Sequence, residues 1–232
     1  MAQQPQIPAS ALDFLQQLQQ NNNRDWFADH KEEFVKQQSS IETFADGLLN
    51  ELNTHDVIET ASGKKSQQRI YRDTRFSGDK TPYKKYWGGG FTRATASRRG
   101  GYYYHIEPGN TFLAGGFWSP SAPDLKRVRD DISYDSAPLR KILTSKSFTQ
   151  TFGTLNGEQL KTTPKGFDAA HEAIDLLRYK QFLLIKRFTD AEVLSPDFLK
   201  NASQAYKNMR PFFDYMSEVL TTNANGISLL EE

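Results

Sequence analysis

The sequence has no cysteine, no long apolar run and almost no net charge. Because cysteine is absent from the 232 residues, disulfides, thiolate nucleophiles, iron–sulfur clusters and cysteine-ligated zinc sites are all excluded. No stretch approaches the roughly 20 apolar residues that a membrane helix needs, and residues 1–10 lack the charged start and apolar core of a secretory signal. We therefore expect a cytoplasmic protein that does not bind a membrane.

The composition is that of a globular protein rich in aromatic residues. Hydrophobic residues make up 37% of the chain and charged residues 25%, which is ordinary for a folded domain. Aromatic residues reach 12%, with 16 phenylalanines and 10 tyrosines, so much of the core is expected to be aromatic. A chain of this length fits one large domain or two small ones and can bury a substantial core.

The positive charge is concentrated in one segment. Residues 64–99 contain 11 Lys and Arg residues but only 2 acidic residues, a net charge of +9. The whole chain has a net charge of +1, so the remainder carries −8. Such a concentration attracts anions and raises their local concentration. It predicts that any ligand is an anion and does not identify a reaction.

The hydrophobic periodicity predicts an α+β protein. Apolar residues at steps of three and four predict helices, and alternating or short apolar runs predict strands. Ser10 and Asn23 are candidate helix caps, Pro211 is expected to kink or break the last helix, and the turn at 107–110 is expected to join two strands as a hairpin. The predicted helices span 11–20, 24–52, 123–134, 136–144, 169–179 and 196–220, and the predicted strands span 68–71, 89–93, 102–107, 111–118 and 181–188.

These elements predict one domain over residues 11–220. In it, helices from both ends of the chain pack around an antiparallel sheet. Residues 1–10 are predicted to be a flexible N-terminus and residues 221–232 a C-terminal tail. The sequence contains no internal repeat and no long linker that would divide the domain.

Several short phrases of the sequence resemble one protein family. They are NNNRDWF at 21–27, the run 69–84 that ends in RDTRFSGDKTPYK, GYY at 101–103, HIEPG at 105–109, GGFW at 115–118 and PKGF at 164–167. Together they resemble the domain of unknown function 2461 family over residues 11–220. The phrases depart from the family pattern at Asp25, Phe117 and Phe167, where Glu, Leu and Tyr are expected. The resemblance implies a single intracellular domain and leaves the activity open.

The cationic segment supplies the main candidate site. The planar fork of arginine suits phosphate and carboxylate oxygens, and the turn-forming residues 77–82 can aim backbone N–H groups at an anion. Alternatively, Asp73 and Asp79 pair with neighbouring basic residues to pin the loop, with Phe76 and Tyr83 buried as anchors. The two interpretations can coexist. The predicted ligand-binding residues are Arg69, Arg72, Asp73, Arg75, Asp79, Lys80 and Lys84, together with Lys165 from the PKGF turn.

The strand predicted over 102–107 supplies a second candidate. Alternation puts Tyr103, His105 and Glu107 on one face, where His105 and Glu107 form a candidate catalytic pair for proton transfer. The alternative is a histidine whose hydrogen bonds are satisfied on a half-exposed strand. If Asp73 and Asp79 joined this pair, the group would suit Mg²⁺. The spacing matches no metal-binding signature, however, so no metal site is predicted and no cofactor is identified.

Two functions remain open. The first is binding of a small phosphate- or carboxylate-bearing ligand through the Arg/Lys cluster, with or without catalysis, and it requires that these residues and His105 line one pocket. The second is a non-catalytic module that binds nucleic acid or an acidic protein, and it requires an open cationic patch. An anionic small molecule is the favoured partner. The sequence does not decide whether the chain is an enzyme.

Overall fold

The computed structural model describes residues 5–223 and 226–230, and it confirms the predicted α+β class. Residues 1–4, 224–225 and 231–232, which belong to the predicted N-terminal and C-terminal segments, lie outside the described residues. The helices are α1 (Ala9–Gln20), α2 (Arg24–Asp29), α3 (Lys31–Leu52), α4 (Gly63–Ser66), α5 (Ala122–Tyr134), α6 (Ala137–Thr144), α7 (Lys146–Phe152), α8 (Ile174–Leu177), α9 (Asp190–Val193) and α10 (Phe198–Thr221). The strands are β1 (Trp87–Thr92), β2 (Gly101–Ile106), β3 (Thr111–Phe117) and β4 (Phe182–Phe188).

The four strands form one antiparallel sheet in the order β1-β2-β3-β4. The predicted hairpin is confirmed, because β2 and β3 are joined by a turn in which the Asn110 amide donates to the Glu107 carbonyl at 2.9 Å. Gly109 in this turn has a φ of +71°, a conformation that glycine adopts without steric cost. The strand predicted over 68–71 is not part of the sheet. This segment makes only isolated bridges, such as the one between Tyr71 and Tyr83.

The described residues group into two compact units. Unit 1 comprises those within Met1–Phe91, Tyr103–Leu113 and Arg187–Gln204. Unit 2 comprises those within Thr92–Tyr102, Ala114–Lys186 and Ala205–Glu232. All four strands and helix α10 contribute residues to both units, so the division falls within these elements and not at a linker.

Unit 1 has an aromatic core. Phe14 of α1 and Phe34 of α3 lie against Trp87 of β1, with ring centroids 6.0 and 5.5 Å away. The Trp87 indole N–H donates to the Ala11 carbonyl at 3.2 Å, which satisfies the one polar atom of this buried side chain. These contacts fix α1 and α3 against the edge strand β1.

The first helices differ from the prediction at two points. Ser10 does not cap α1, because Pro8 occupies the cap position and the Ser10 hydroxyl donates to a side chain of α3 at 3.0 Å. Asn23 does cap α2, and its side chain accepts from the Trp26 amide at 3.0 Å. The single helix predicted over 24–52 is divided at His30, whose φ of −108° and ψ of 16° leave helical geometry. The His30 ring stacks on Trp26 with centroids 3.9 Å apart.

Unit 2 is built on the C-terminal part of α10. Tyr102 of β2 packs on Tyr206 and Phe213 of this helix, with ring centroids 4.9 and 5.1 Å away. Gly115 of β3 allows the helix to approach closely, because a Cβ at this position would lie 2.5 Å from the Met209 sulfur. The glycine therefore serves backbone packing, as expected for a glycine inside a strand.

The remaining predictions for the C-terminal half are partly confirmed. The strand predicted over 181–188 is present as β4, and α10 continues through Pro211 without a break. Of the helix predicted over 169–179, only Ile174–Leu177 is helical, and α7 and α9 were not predicted. These discrepancies concern helices of four to seven residues, which are too short to show a clear 3.6-residue periodicity.

Candidate functional site

The cationic loop, residues 69–85, is a narrow excursion whose two limbs are hydrogen-bonded to each other. The Arg72 amide donates to the Pro82 carbonyl at 2.9 Å, and the Lys84 amide donates to the Ile70 carbonyl at 2.8 Å. This pairing sets which residues of the two limbs become neighbours. In particular, it brings the start of the loop, at Arg69, close to its end, at Lys84.

An asparagine from a distant part of the chain holds the loop in place. The Asn22 side chain donates to the Tyr83 carbonyl at 3.0 Å and accepts from the Tyr83 amide at 3.1 Å. The Tyr83 ring also stacks on Phe27, with centroids 4.0 Å apart and an interplanar angle of 18°. Tyr83 is therefore a buried anchor, as predicted. Phe76 is not, because it is 95% exposed.

Arg72 is held inside the loop by contacts of its Nη1 atom. Its guanidinium contacts Asp79 Oδ2 at 2.6 Å and donates to the Thr81 carbonyl at 3.0 Å and to the Thr81 hydroxyl. The Asp79 carboxylate also accepts from the Thr81 amide at 2.9 Å. The Thr81 amide and hydroxyl, together with Arg72, lower the pKa of Asp79 to about 2. Asp79 therefore stays ionised and orients Arg72, as the alternative interpretation predicted.

Arg75 is paired in the same way. Its Nε and Nη2 atoms donate to the two oxygens of Asp73 at 3.0 and 2.7 Å, a bidentate geometry that favours the charged forms of both groups. The hydrogen bonds from Arg75 lower the pKa of Asp73. Lys80 is bound only to a neutral group, the Thr74 carbonyl, at 2.9 Å. The loop therefore contains two internal ion pairs and a lysine whose charge is not balanced.

Arg69 and Lys84 form a second set of unbalanced charges. The Lys84 ammonium donates to Gln68 Oε1 at 2.9 Å and lies 5.8 Å from the centre of the Tyr86 ring. Burial, and then the positive charge of Arg69, lower the pKa of Lys84. Within residues 5–223 and 226–230, no carboxylate lies within ion-pair distance of Arg69, Lys80 or Lys84.

Glu107 lies at the centre of a separate, buried cluster. It is 7% exposed, and its Oε2 atom accepts from His105 Nε2 at 2.9 Å and from Asn110 Nδ2 at 2.6 Å. The Lys85 ammonium lies 3.2 Å from Oε1. Burial raises the pKa of Glu107, but the hydrogen bonds from His105, Asn110 and Lys85 outweigh it and hold the pKa below its usual value. Glu107 is therefore a carboxylate that only accepts hydrogen bonds.

The ionised Glu107 determines the protonation of His105. Because Nε2 must donate to the carboxylate, we assign the proton of the neutral ring to Nε2, which leaves Nδ1 to accept from the Tyr103 hydroxyl at 3.3 Å. The His105 ring is 8% exposed and lies between Tyr86 and Phe112, with centroids 4.1 and 4.6 Å away. Burial lowers the pKa of His105 despite the neighbouring carboxylate, and burial raises that of Tyr103.

The predicted residues are thus brought together unequally. All of them except Lys165 belong to unit 1. Within this unit, Tyr86 connects the cationic loop with the buried cluster around Glu107, since the Tyr86 ring contacts both Lys84 and His105. Lys165 is exposed in a loop of unit 2. Among the described residues, no group of three or more acidic or histidine side chains is placed to hold a metal ion. Asp73 and Asp79 are each bound to an arginine of their own loop and do not join His105.

The cleft beside Arg69 and Lys84 is small. This cleft, lined by Gln68, Ile70 and Tyr86 among others, has a volume of about 10 Å³, which is no more than one water molecule occupies. Gln68 and Tyr86 were not predicted as site residues. Their role depends on the pairing of the loop limbs, and the only signal in the sequence is that each lies within two residues of Arg69 or Lys84.

The fold and this site define an α+β protein with a four-stranded antiparallel sheet and an exposed cationic loop. The family described as conserved hypothetical protein (DUF2461) matches residues 10–215. The chain therefore belongs to this family, as its sequence phrases predicted. No curated protein and no solved structure matches the chain. Within the described part of the chain, no helix combines the length and the apolar character needed to cross a bilayer.

Proposed function

We propose that the chain binds a phosphate- or carboxylate-bearing ligand at Arg69 and Lys84. The observation that carries the proposal is the contrast within one loop. Arg72 and Arg75 are each paired with an aspartate of the loop. Arg69 and Lys84 have no carboxylate partner among the described residues, and the charge of Arg69 lowers the pKa of Lys84. An anion between two such cations is favoured by both charges.

The neighbouring side chains support the same ligand class. Gln68 Oε1 accepts from Lys84, which directs the amide NH₂ of Gln68 away from the ammonium, and this NH₂ has no protein acceptor among the described residues. The guanidinium, the ammonium and the NH₂ group of this amide can only donate hydrogen bonds. Because the adjoining cleft holds at most one water, the anionic group is bound at the surface and the rest of the ligand lies outside the protein.

The proposal assigns no catalytic step to His105 and Glu107. Both ring nitrogens of His105 and both oxygens of Glu107 are already bonded to protein groups. A general acid or base must reach a proton of the substrate, and these atoms are covered. We assign the pair to positioning: His105 supports the Tyr86 ring, and Glu107 holds Lys85.

A second candidate is a single strand of nucleic acid as the source of the anion. Phe76 is 95% exposed and Tyr71 is 61% exposed, which is unusual for large aromatic residues. Proteins that bind single strands combine a cationic groove for phosphates with aromatic rings on which bases stack. Lys80 and the Arg69–Lys84 pair would contact phosphates, and Phe76 would stack on a base.

The test is a set of affinity measurements by calorimetry. Wild type, Arg69→Gln and Lys84→Gln are titrated with inorganic phosphate, succinate, adenosine monophosphate and a ten-nucleotide thymidine strand. Arg75→Gln is the matched control, because it removes one charge from the same loop at an arginine that already has a partner. We expect Arg69→Gln and Lys84→Gln to weaken binding about tenfold or more, the equivalent of one charge-assisted hydrogen bond, and Arg75→Gln to have little effect.

Each outcome separates the alternatives. An equal loss in all three variants would mean diffuse attraction by the loop and would contradict a defined site. Binding of the strand but of none of the small anions, with a loss in Phe76→Ala, would favour the nucleic-acid candidate. If no probe binds to wild type, the cationic pair is not a ligand site.

A further inference from the structure

Unit 2 contains a surface pocket that the cationic loop does not explain. Its volume is about 310 Å³, roughly the space of ten water molecules and at the lower end of ligand-binding pockets. The pocket lies between α6, the loop after α7, and α8. Leu143, Leu155 and Leu176 supply its apolar lining, and Arg140, Asp175 and Gln159 lie among its polar residues.

The pocket is open on one side and closed by apolar side chains on the other. Leu155 and Leu176 are buried, so they form a floor that belongs to the core. At Gly153, which also lines the pocket, an added Cβ would meet no atom within 4 Å. The Tyr179 hydroxyl donates to the Leu155 carbonyl at 2.9 Å, which leaves its ring as a wall.

An ion pair lies at the rim of the pocket. Arg140 Nη2 donates to Asp175 Oδ1 at 2.7 Å, and Nη1 donates to Oδ2 at 3.2 Å. Arg140 is also bound to the Ser136 hydroxyl at 3.3 Å and to the Glu172 carbonyl at 3.1 Å. These contacts fix the guanidinium. They leave one N–H of Nη1 without an acceptor among the described residues, and they leave acceptor positions on Asp175.

Both rim charges are present at neutral pH and both are partly exposed. The hydrogen bond to Asp175 raises the pKa of Arg140, and the hydrogen bond from Arg140 lowers the pKa of Asp175. A ligand that carried only a negative charge would meet Asp175, and one that carried only a positive charge would meet Arg140. An uncharged apolar ligand would remove water from the pair without replacing its hydrogen bonds.

We infer that this pocket binds a zwitterionic α-amino acid with an apolar side chain. The carboxylate accepts from the remaining Nη1 N–H of Arg140, the ammonium donates to Asp175, and the side chain lies on the leucine floor. A molecule of the size of leucine or phenylalanine fits the volume. The inference concerns unit 2 and does not depend on the function proposed for the cationic loop.

The first experiment compares probes that each lack one feature. The full chain is titrated by calorimetry, and by NMR with ¹⁵N labelling, against L-leucine, 4-methylpentanoate, isopentylamine and glycine. The last three lack the ammonium, the carboxylate and the apolar side chain. We expect L-leucine to bind, to shift amides of residues 140–144, 153–155 and 175–179, and to bind at least tenfold more tightly than each of the other three.

The second experiment changes the recognition of the ammonium. Asp175→Asn keeps the size of the side chain and removes its charge, so we expect at least a tenfold loss for L-leucine and a gain for 4-methylpentanoate. Asp130→Asn is the matched control, because Asp130 is an exposed carboxylate of unit 2 that pairs with Lys126 at 2.5 Å. A thermal melt of each variant establishes that it is folded. Should Asp175→Asn fail to fold, the probe comparison on the wild-type chain provides the test.

Any of four results would overturn the inference. The first is that L-leucine does not bind wild type at 10 mM, a value about ten times a weak millimolar dissociation constant. The second is that L-leucine binds wild type and Asp175→Asn equally well. The third is that 4-methylpentanoate or isopentylamine binds as tightly as L-leucine. The fourth is that the amide shifts are confined to unit 1.

Discussion

Replacing Glu107 by glutamine should destabilise the fold by a predictable amount. The carboxylate is bound by His105, Asn110 and Lys85 at 2.9, 2.6 and 3.2 Å. Glutamine has almost the same shape but only one acceptor oxygen, so its NH₂ must face a donor. Losing the charge-assisted part of these bonds costs about 2 kcal/mol of unfolding free energy. In a chain of this size, that lowers the melting temperature by roughly 4–8 °C.

The dependence of stability on pH shows whether the charge of Glu107 causes the loss of stability in Glu107→Gln. The pKa of Glu107 is lower in the folded state than in the unfolded state. The stability that the ionised carboxylate contributes is therefore complete at a pH above the unfolded-state pKa, and it is lost as the pH falls through the folded-state pKa. The difference between wild type and Glu107→Gln should therefore be largest near pH 7 and should shrink in acid. It is measured by urea unfolding at pH 8, 7, 5.5 and 4.

His105 adds a second dependence of stability on pH. Burial lowers its pKa below the unfolded value of 6.5. At a pH between the folded-state pKa and the unfolded-state pKa of His105, the unfolded state binds a proton that the folded state does not. The free energy of unfolding therefore falls as the pH drops below about 6.5. Glu107→Gln should keep this decline. His105→Gln, in which no imidazole is left to titrate, should lose it.

The control is the same substitution at an exposed carboxylate. Glu158 pairs with Lys180 at 2.6 Å on the surface, where ion pairs contribute little, so Glu158→Gln should melt close to wild type. The reasoning would be refuted if Glu107→Gln had the same melting temperature as wild type. It would also fail if the difference between the two proteins were the same at pH 4 as at pH 7.

Two further substitutions test the packing of unit 1. A Cβ at Gly89 would lie 2.3 Å from the hydroxyl of the buried Tyr104, so Gly89→Ala should lower the free energy of unfolding, measured in urea, by about 1–3 kcal/mol. Gly78→Ala is the control, because the space around Gly78 is open, and it should not lower this free energy. A similar loss in both variants would contradict the clash at Gly89. Asn22→Ala removes both hydrogen bonds to the Tyr83 backbone, so it should lower the free energy of unfolding by about 1–2 kcal/mol and speed the exchange of backbone amide hydrogens over residues 71–83. If the exchange of these amides were unchanged, Asn22 would not hold the loop.

The parts of the fold that were predicted correctly are those determined by neighbouring residues. The β2–β3 hairpin follows from a turn of four residues that includes Gly109 with its positive φ, and the cap of α2 follows from Asn23 three residues before Trp26. The break at His30 was not predicted, because the apolar periodicity continues across it. There the histidine Nδ1 donates to the Trp26 carbonyl at 2.8 Å, a contact that the sequence pattern does not show.

The site was predictable in composition but not in arrangement. The pairing of Asp73 with Arg75 is local and follows from a spacing of two residues. By contrast, Phe76 and Tyr83 are both aromatic residues of one loop, yet Phe76 is exposed and Tyr83 is buried. Tyr83 is held by Asn22, 61 residues away, which binds its backbone, and by Phe27, on which its ring stacks. No pattern within the loop contains that information.

The neighbouring lysines 84 and 85 show why a count of charges overstates what the loop offers a ligand. Lys85 pairs with the buried carboxylate of Glu107 at 3.2 Å, so its charge is already balanced. Lys84 is bound to the neutral amide of Gln68 and lies near Arg69, so its charge is not. The sequence gives both lysines the same weight within a segment of net charge +9. The charge that remains for an anion in the loop is mainly that of Arg69, Lys80 and Lys84, because the other basic side chains face aspartate or glutamate.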